Sequence, residues 1–381
     1  MKIAFLTPEF PHPKTGISGG LGTSVKNLAE GFARAGHEPL ILVYGQNADA
    51  FFEGDGLRIY QIKNVKLKGL SWFLTRKKIE RLINSLHRGG KLDAVEAPDW
   101  TGITSFIKPN CPLTVRLHGS DTYFCHLDRR RVKWVNKFHE KRALKNATAL
   151  LSVSRYTADL TAELFGLDRE FTVIHNGVDT SAFAPSAKSD SMKILYFGTL
   201  IRKKGLLELP HIFNLINNAN PNAELVLVGR DAFDIISGNS STWQMIEPMF
   251  TENARKKVTY RGSVPYDQIR DEIRDAAVCV FPTFAEALPV SWIEAMAMEK
   301  AIVASNIGWA AEVIEDGKSG LLVHPTNHTL YAEKVAMLLN DKSLRDTIGQ
   351  QGRERAEKVF DIEAIVAQNI AYYHNLINSN R

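Results

Sequence analysis

The chain alternates short apolar, β-rich runs with segments of helical period, and it does so in two successive stretches. That alternation is the signature of strand–helix–strand units stacked on a parallel sheet. Parallel strands are buried on both faces, and each needs a long crossover before the next. In the first stretch the runs are KIAFLT (2–7), PLILVYG (39–45), RIYQI (58–62), AVEA (94–97), LTVRLHG (113–119), ALLSVS (149–154) and FTVIHNG (171–177). After the first of them, VKNLAEGFARAGH (25–37) places apolar residues at 28, 29, 32, 33 and 35, with a glycine where a helix should stop.

The alternation lapses once, in VDTSAFAPSAKSDS (178–191), which is rich in Ser, Ala, Pro and Asp and reads as an interdomain linker. It restarts with KILYFG (193–198), AELVLVG (223–229), VTYRG (258–262), VCVFP (278–282), AIVAS (301–305) and GLLVHP (320–325). A chain of 381 residues is too long for one ordinary domain and suits two. The expected fold is α/β: two facing, doubly wound parallel-sheet (Rossmann-like) domains with an interdomain cleft. The expected boundaries are 1–180 for the first domain, 181–192 for the linker and 193–362 for the second domain. A C-terminal helix over 363–381 is expected to cross back to the first domain.

Open sheets of this kind bind ligands outside the carboxyl ends of their strands, so the residues that follow each strand carry the functional information. Four strand ends stand out. After the first strand comes TGISGGLGTSVKNL, in which Gly16, Gly19, Gly20 and Gly22 let backbone N–H groups approach a phosphate or sugar, or simply form a flexible turn. About a dozen residues intervene after the strand, so this is not the dinucleotide fingerprint. LTVRLHG ends in His118, followed by Gly119, Ser120 and Asp121; the histidine either bonds a sugar hydroxyl or shuttles a proton, or is structural. KILYFG runs into Arg202, Lys203 and Lys204, which suit a diphosphate or form a solvated surface run. The fourth end carries Glu286 and, eight positions on, Glu294, the second about two turns into a helix that opens near Val290 and Ser291. A buried unpaired carboxylate costs several kcal/mol, so these two face a ligand rather than hold the fold together; the other reading is negative charge favoured at a helix N-terminus. All four together point to a nucleoside-diphosphate site, with Glu294 placed to accept hydrogen bonds from a ribose diol.

Composition narrows the class. Hydrophobic content of 44% and charged content of 23% are those of a soluble globular protein. No apolar run approaches the roughly 20 residues of a membrane helix, and MKIAFLTPEF has no signal-peptide pattern, so the expected location is the cytoplasm. Three cysteines without CxxC spacing predict neither a disulfide framework nor a zinc site. The net charge of +5 divides unevenly: residues 1–186 hold 26 basic and 18 acidic residues, and residues 187–381 hold 21 and 24. The positive half favours an anionic partner such as a lipid headgroup or acidic glycan; a nucleic-acid role is not expected, because no basic stripe with interleaved aromatics is present. Segment 65–88 mixes Trp72, Phe73 and Leu74 with many basic residues. It either lies on an anionic bilayer, at the inner face of the membrane, or packs Ile79, Leu82, Ile83 and Leu86 on the sheet. The run Arg129–Arg131 carries the same two readings.

The ordered landmarks SGGLGTSVKNLAEGFARAGHEP, RLHGSD, LLSVSRYTADL, VIHNGVDTSAF, FGTLIRKKG, LVLVG, VTYRGSV, FPTFAEALPVSWIEAMAMEKAIVAS and EVIEDGKSGLLV span nearly the whole chain. Together they resemble the family 4 retaining glycosyltransferases of the two-Rossmann-domain, GT-B type. The resemblance implies transfer of a hexose or similar sugar from a nucleoside-diphosphate donor, UDP-sugar rather than GDP-sugar, with retention. The acceptor is then a glycan or lipid-linked oligosaccharide, in cell-surface or extracellular polysaccharide biosynthesis. The first domain would bind the acceptor and the second the donor. Arg202 and Lys204 would neutralise the diphosphate, Glu294 would hold the ribose, and Glu286 would contact the transferring sugar or its phosphate. Gly20 would approach the phosphate, His118 the sugar, and Val290 and Ser291 amides would meet the phosphate; Ser18, Gly19 and Asp121 are acceptor-side candidates. Two departures stand out. Thr199 occupies a position where the family often has Arg, passing that role to Arg202. Ala287-Leu288-Pro289 replaces a Gly-Phe-Gly loop. No DxD-like pair ends a strand, so no metal and no cofactor is expected. Same-face attack is the favoured route to retention, with a covalent adduct on Glu286 the alternative. An NAD-dependent oxidoreductase and a silent nucleotide- or glycan-binding protein are the rival classes.

Overall fold

The computed structural model describes residues 1–16, 18–54, 56–185 and 191–380. It divides into two compact units, Met1–Gly177 with Ile362–Arg381, and Val178–Asp361. The expected linker falls partly on 186–190, outside the described residues. Its flank does not stand apart: Val178 and Phe183 are buried, and Arg353 donates to the Thr180 and Phe183 carbonyls at 2.8 and 2.9 Å, all within the second unit.

Unit 1 is built on eight strands: β1 (Lys2–Thr7), β2 (Glu38–Gln46), β3 (Ala50–Gly54), β4 (Leu57–Lys63), β5 (Ala94–Pro98), β6 (Leu113–Leu117), β7 (Ala149–Ser152) and β8 (Thr172–Val173). Their order is β3-β4-β2-β1-β5-β6-β7-β8, parallel except for β3, which pairs antiparallel with β4. β1 shows why such strands read as unbroken apolar runs. Ile3 and Phe5 face one core with Ile41, Val43 and the helix Gly20–Arg34; Ala4 and Leu6 face another with Leu40, Leu42 and the helix Ser71–Arg88. Both faces are covered, so no polar alternation is possible.

Three expectations need correction. The first helix begins at Gly20 rather than residue 25, because the glycines expected to form a loop supply its first turn. The expected strand 171–177 shrinks to Thr172–Val173, at the sheet edge. β3 was not expected; its residues are exposed or half-buried and carry little apolar signal. In the helix Ser71–Arg88, Ile79, Ile83 and Leu86 are buried on the sheet with Leu82 against them, while Trp72 at its start stays exposed. Among the described residues no helix is long and apolar enough to cross a membrane.

The helix Ile362–Asn378 belongs to unit 1. Val366 seats against Gly31, where a β-carbon would stand 2.3 Å from it, so glycine permits the close helix contact. Beneath it lies a buried ion pair: Arg116 Nε and Nη2 donate to Glu96 at 2.8 and 2.7 Å, and Nη2 also donates to Asn369 Oδ1. The Tyr373 hydroxyl donates to the same Glu96.

Unit 2 is a six-stranded parallel sheet, β9 (Lys193–Phe197), β10 (Glu224–Val228), β11 (Val258–Tyr260), β12 (Val278–Phe281), β13 (Ala301–Ser305) and β14 (Leu321–Val323), ordered β11-β10-β9-β12-β13-β14. The chain winds outward from β9 one way and from β12 the other. The topological switch point, where open sheets bind ligands, therefore lies between β9 and β12; in unit 1 it lies between β1 and β5.

Candidate functional site

At the carboxyl ends of β9 and β12 two segments are fastened together. After β9 the chain makes a tight 3-10 turn, Arg202–Lys204, closed by Gly205 in the left-handed region at φ 74. A β-carbon on Gly205 would lie 1.7 Å from the Pro282 carbonyl oxygen, so only glycine lets this turn approach the segment leaving β12. The Phe284 and Ala285 N–H groups donate to the Lys203 carbonyl at 2.8 and 3.2 Å. This joint brings Lys204 Nζ to 2.8 Å from Glu286, both side chains being largely buried. Lys204 and Glu286, 82 positions apart in sequence, thus meet at the switch point.

Glu294 lies on the helix Val290–Ala297 and is buried. Burial pushes its carboxyl up to about 7, although the Tyr266 hydroxyl and Lys204 pull the other way; Tyr266 donates to Oε1 at 2.6 Å. Val290 and Ser291 form the first turn of this helix, half-buried, and its N-cap residue, Pro289, makes no side-chain cap.

Arg202 is placed differently. Its Nε and Nη2 donate to Asp234 at 2.9 and 2.7 Å, and that hydrogen bond holds the Asp234 carboxyl well below the usual range. The guanidinium thereby anchors the loop after β10. With Lys204 on Glu286 and Arg202 on Asp234, each of the two expected cations already faces a carboxylate.

A third cation, Arg230, follows the neighbouring strand, β10. β9 and β10 pair in register at Phe197–Val228, and the parallel pairing resumes at Leu200–Asp231. The Leu200 N–H donates to the Arg230 carbonyl at 2.8 Å, so Thr199 and Arg230 stand opposite one another where the two segments leave the sheet. Arg230 is exposed and has no ion pair among the described residues. The Lys204 ammonium lies beside Gly198, 3.4 Å from where that residue's β-carbon would be. Sequence reasoning passed over Arg230, Asp234 and Tyr266. The signal for Arg230 was there: it is the first residue after LVLVG, a strand end like the four that were read.

In unit 1 the glycine loop and Asp99 follow the two strands of the switch point, and His118 follows the next strand, β6. Gly19 and Gly22 N–H groups both donate to Glu9 Oε1 at 3.0 Å, so a carboxylate of this chain sits on the amides at the start of the helix Gly20–Arg34. Gly20 itself has open space around its missing β-carbon, and the Ser18 hydroxyl donates to the Gly19 carbonyl. The His118 backbone N–H donates to Asp99 Oδ1 at 3.0 Å; burial pushes Asp99 up to about 7, and burial with Arg116 pushes the His118 ring down to about 3. The imidazole is therefore neutral at ordinary pH. A recess lined by Ser24, Glu96, Arg116, His118, His175 and Asn176 adjoins it. Because Arg116 is matched by Glu96, the recess carries no net charge and suits hydroxyl groups better than a phosphate. Asp121 lies apart from the glycine loop in its bonding: it accepts from Asn136 Nδ2 at 2.9 Å, and its N–H donates to Glu140.

Comparison with known proteins agrees with this geometry. Residues 178–355 match the family described as Glycosyl transferases group 1, and residues 18–182 match Glycosyltransferase Family 4. An uncharacterized glycosyltransferase of Methanocaldococcus jannaschii is 24% identical over 397 aligned residues, covering 98% of each chain. Among solved structures, sucrose-phosphate synthase from Thermosynechococcus elongatus superposes with a TM-score of 0.82 at 21% identity, covering 100% of both chains. HepE from Anabaena, in complex with UDP, superposes with a TM-score of 0.75 at 19% identity, covering 98% of this chain and 100% of its own.

Proposed function

The chain belongs to the family 4 glycosyltransferases and has the GT-B fold, and from that premise we propose that it moves a sugar from a UDP-linked donor to a glycan or lipid-linked acceptor with retention. The observation that carries the reading is the Lys204–Glu286 pair at 2.8 Å on the switch point of unit 2. Expulsion of a nucleoside diphosphate places negative charge on the leaving oxygens. Preorganised cations and a helix N-terminus stabilise that charge without a metal. Lys204, the first-turn amides at Val290 and Ser291, and Arg230 supply them in this reading. Arg230 takes the place left by Thr199, while Arg202 holds the neighbouring loop through Asp234. Ionised Glu294 accepts the ribose hydroxyls, and Glu286 releases Lys204 toward the phosphate while facing the sugar.

UDP rather than GDP is favoured in this reading because HepE, which shares the fold, is a UDP complex. His118, neutral, offers a hydroxyl partner in unit 1, with Ser18, Gly19 and Asp121 as further acceptor-side candidates. The route is same-face attack, in which the acceptor proton passes to the departing phosphate oxygen as the new glycosidic bond forms.

Calorimetric titration tests the reading. UDP should bind the wild type, and Lys204→Ala and Arg230→Ala should each weaken it about tenfold or more while leaving uridine affinity within twofold, since only UDP carries the diphosphate. Binding of NAD but of no nucleoside diphosphate would return the chain to the oxidoreductase reading. Equal losses for UDP and uridine in Arg230→Ala would remove Arg230 from the site. Product stereochemistry by NMR, on any donor and acceptor pair that turns over, decides retention.

A further inference from the structure

We propose that unit 1 docks on an anionic lipid bilayer through a patch formed by the start of the helix Ser71–Arg88, the turn at 128–133 and the helix Trp134–Asn146. The proposal does not depend on which sugar is transferred. Its first support is a set of large apolar side chains that the core does not use. Trp134 is 77% exposed, Phe138 48% and Trp72 42%, with Leu67, Leu70 and Val135 similarly open. Trp72 and Phe138 meet in one aromatic cluster, and Trp134 stands one turn before Phe138 on the same helix. Trp72 lies 5.6 Å from Phe106 and 5.0 Å from His139, ring centre to ring centre, and Phe138 lies 6.3 Å from the same Phe106 and 5.3 Å from the same His139. A helix has no reason of its own to present Trp134 and Phe138, at i and i+4, on the face away from its buried residues His139, Ala143 and Leu144. Contiguous exposed apolar area, unlike scattered single residues, marks an interaction site.

The second support is charge. Arg129, Arg131, Lys133, Lys137 and Lys141 lie on the turn and helix that carry Trp134 and Phe138, Lys66 and Lys68 shortly precede Trp72, and none is in an ion pair among the described residues. The two acids nearest in sequence are already used. Asp128 accepts from Arg130 at 3.0 Å. Glu140 is buried and accepts the Thr101, Asp121 and Thr122 N–H groups and the Thr122 hydroxyl. Asp121 accepts from Asn136 of the same helix and offsets one charge, and the patch remains cationic. Aromatic rings able to enter a headgroup layer, rimmed by long basic side chains, match an acidic lipid surface. A nucleic-acid duplex offers phosphates but no apolar layer for Trp134 and Phe138.

Co-sedimentation of the full chain with vesicles of phosphatidylglycerol and phosphatidylcholine, compared with phosphatidylcholine alone at the same salt, tests this. Binding is expected only to the anionic vesicles. Trp134→Ala with Phe138→Ala should reduce it about tenfold or more. Arg131→Glu with Lys137→Glu should abolish it, each lost charge counting for about fivefold and reversal for more. Both double variants lie outside the nucleotide site and should keep wild-type UDP affinity and thermal midpoint. The charge pair serves as an independent arm if the aromatic pair compromises folding. No binding to either vesicle, binding unchanged in both variants, or retention on heparin or duplex DNA without vesicle binding would each overturn the proposal. The last outcome would identify a polyanion surface instead.

Discussion

Replacing Glu294 by Gln should make the ligand-free protein more stable at pH 8 while removing nucleotide binding, and the size of the gain follows from burial. The carboxyl keeps its proton up to about 7 in the folded chain, against an ordinary value of 4.5, because burial opposes its ionisation. Below pH 4.5 both folded and unfolded chains hold the proton, and the buried acid costs nothing by this route. Between 4.5 and 7 the unfolded chain is ionised and the folded chain is not, so unfolding releases a proton and stability falls as pH rises. Above about 7 both are ionised and the loss is complete. A difference of about 2.5 between the two values, at ~1.36 kcal/mol for each, gives a cost of about 3 kcal/mol. Glutamine cannot ionise, and its carbonyl still accepts from Tyr266, so Glu294→Gln escapes the cost. Urea unfolding of wild type and variant from pH 5 to 8 measures it. Emission from Trp292 and Trp309 reports directly, since both are fully buried in unit 2. The curves should lie within about 1 kcal/mol of each other at pH 5 and separate by about 3 kcal/mol at pH 8. A variant less stable than wild type at pH 8, or a difference flat with pH, would refute the argument. In parallel, UDP affinity should collapse in the variant, because an amide replaces the carboxylate that accepts the ribose hydroxyls. The same residue then lowers stability and supplies binding, a trade common at functional sites.

Two further changes probe what holds the sites. Gly205→Ala combines a left-handed backbone, worth about 1–2 kcal/mol, with a β-carbon 1.7 Å from the Pro282 oxygen. A loss above about 2 kcal/mol in urea unfolding is expected, with Lys204 displaced from Glu286. An alanine variant of wild-type stability would show that the turn is not fixed this way. Arg116→Met leaves Glu96 buried without its partner, a change that costs about 3–5 kcal/mol. Its stability relative to wild type should recover as pH falls and Glu96 takes up a proton. Urea curves at pH 5 and 8 read both effects, and a loss under 1 kcal/mol at pH 8 would count against it.

How much was legible in the sequence depended on the range of the interaction. The strands of both sheets were readable because burial on both faces leaves a local apolar run, as in KIAFLT and VCVF. β3 was invisible because it is half-exposed and owes its pairing to β4. The glutamates and Lys204 were identified from their places at strand ends, but the sequence says nothing of which charge meets which. Arg202 was read as a phosphate ligand because it follows a strand. Its partner Asp234 lies in another loop, 32 positions on, and only the pairing of β9 with β10 brings the two together. That same pairing reveals Arg230 opposite Thr199. Glu9 on the amides of Gly19 and Gly22 is likewise a contact across a turn, unmarked by any motif.

The place of the helix Ile362–Asn378 sets an order on biosynthesis. Unit 1 is written in two pieces with all of unit 2 between them. On the ribosome, unit 2 has its full complement of strands before Asn369 and Tyr373 exist to cover Arg116 and Glu96. The half of the chain that is made first is thus finished last. Until then its buried ion pair waits without its lid, and a nascent chain stopped before Asn369 would hold one complete unit and one with an open core.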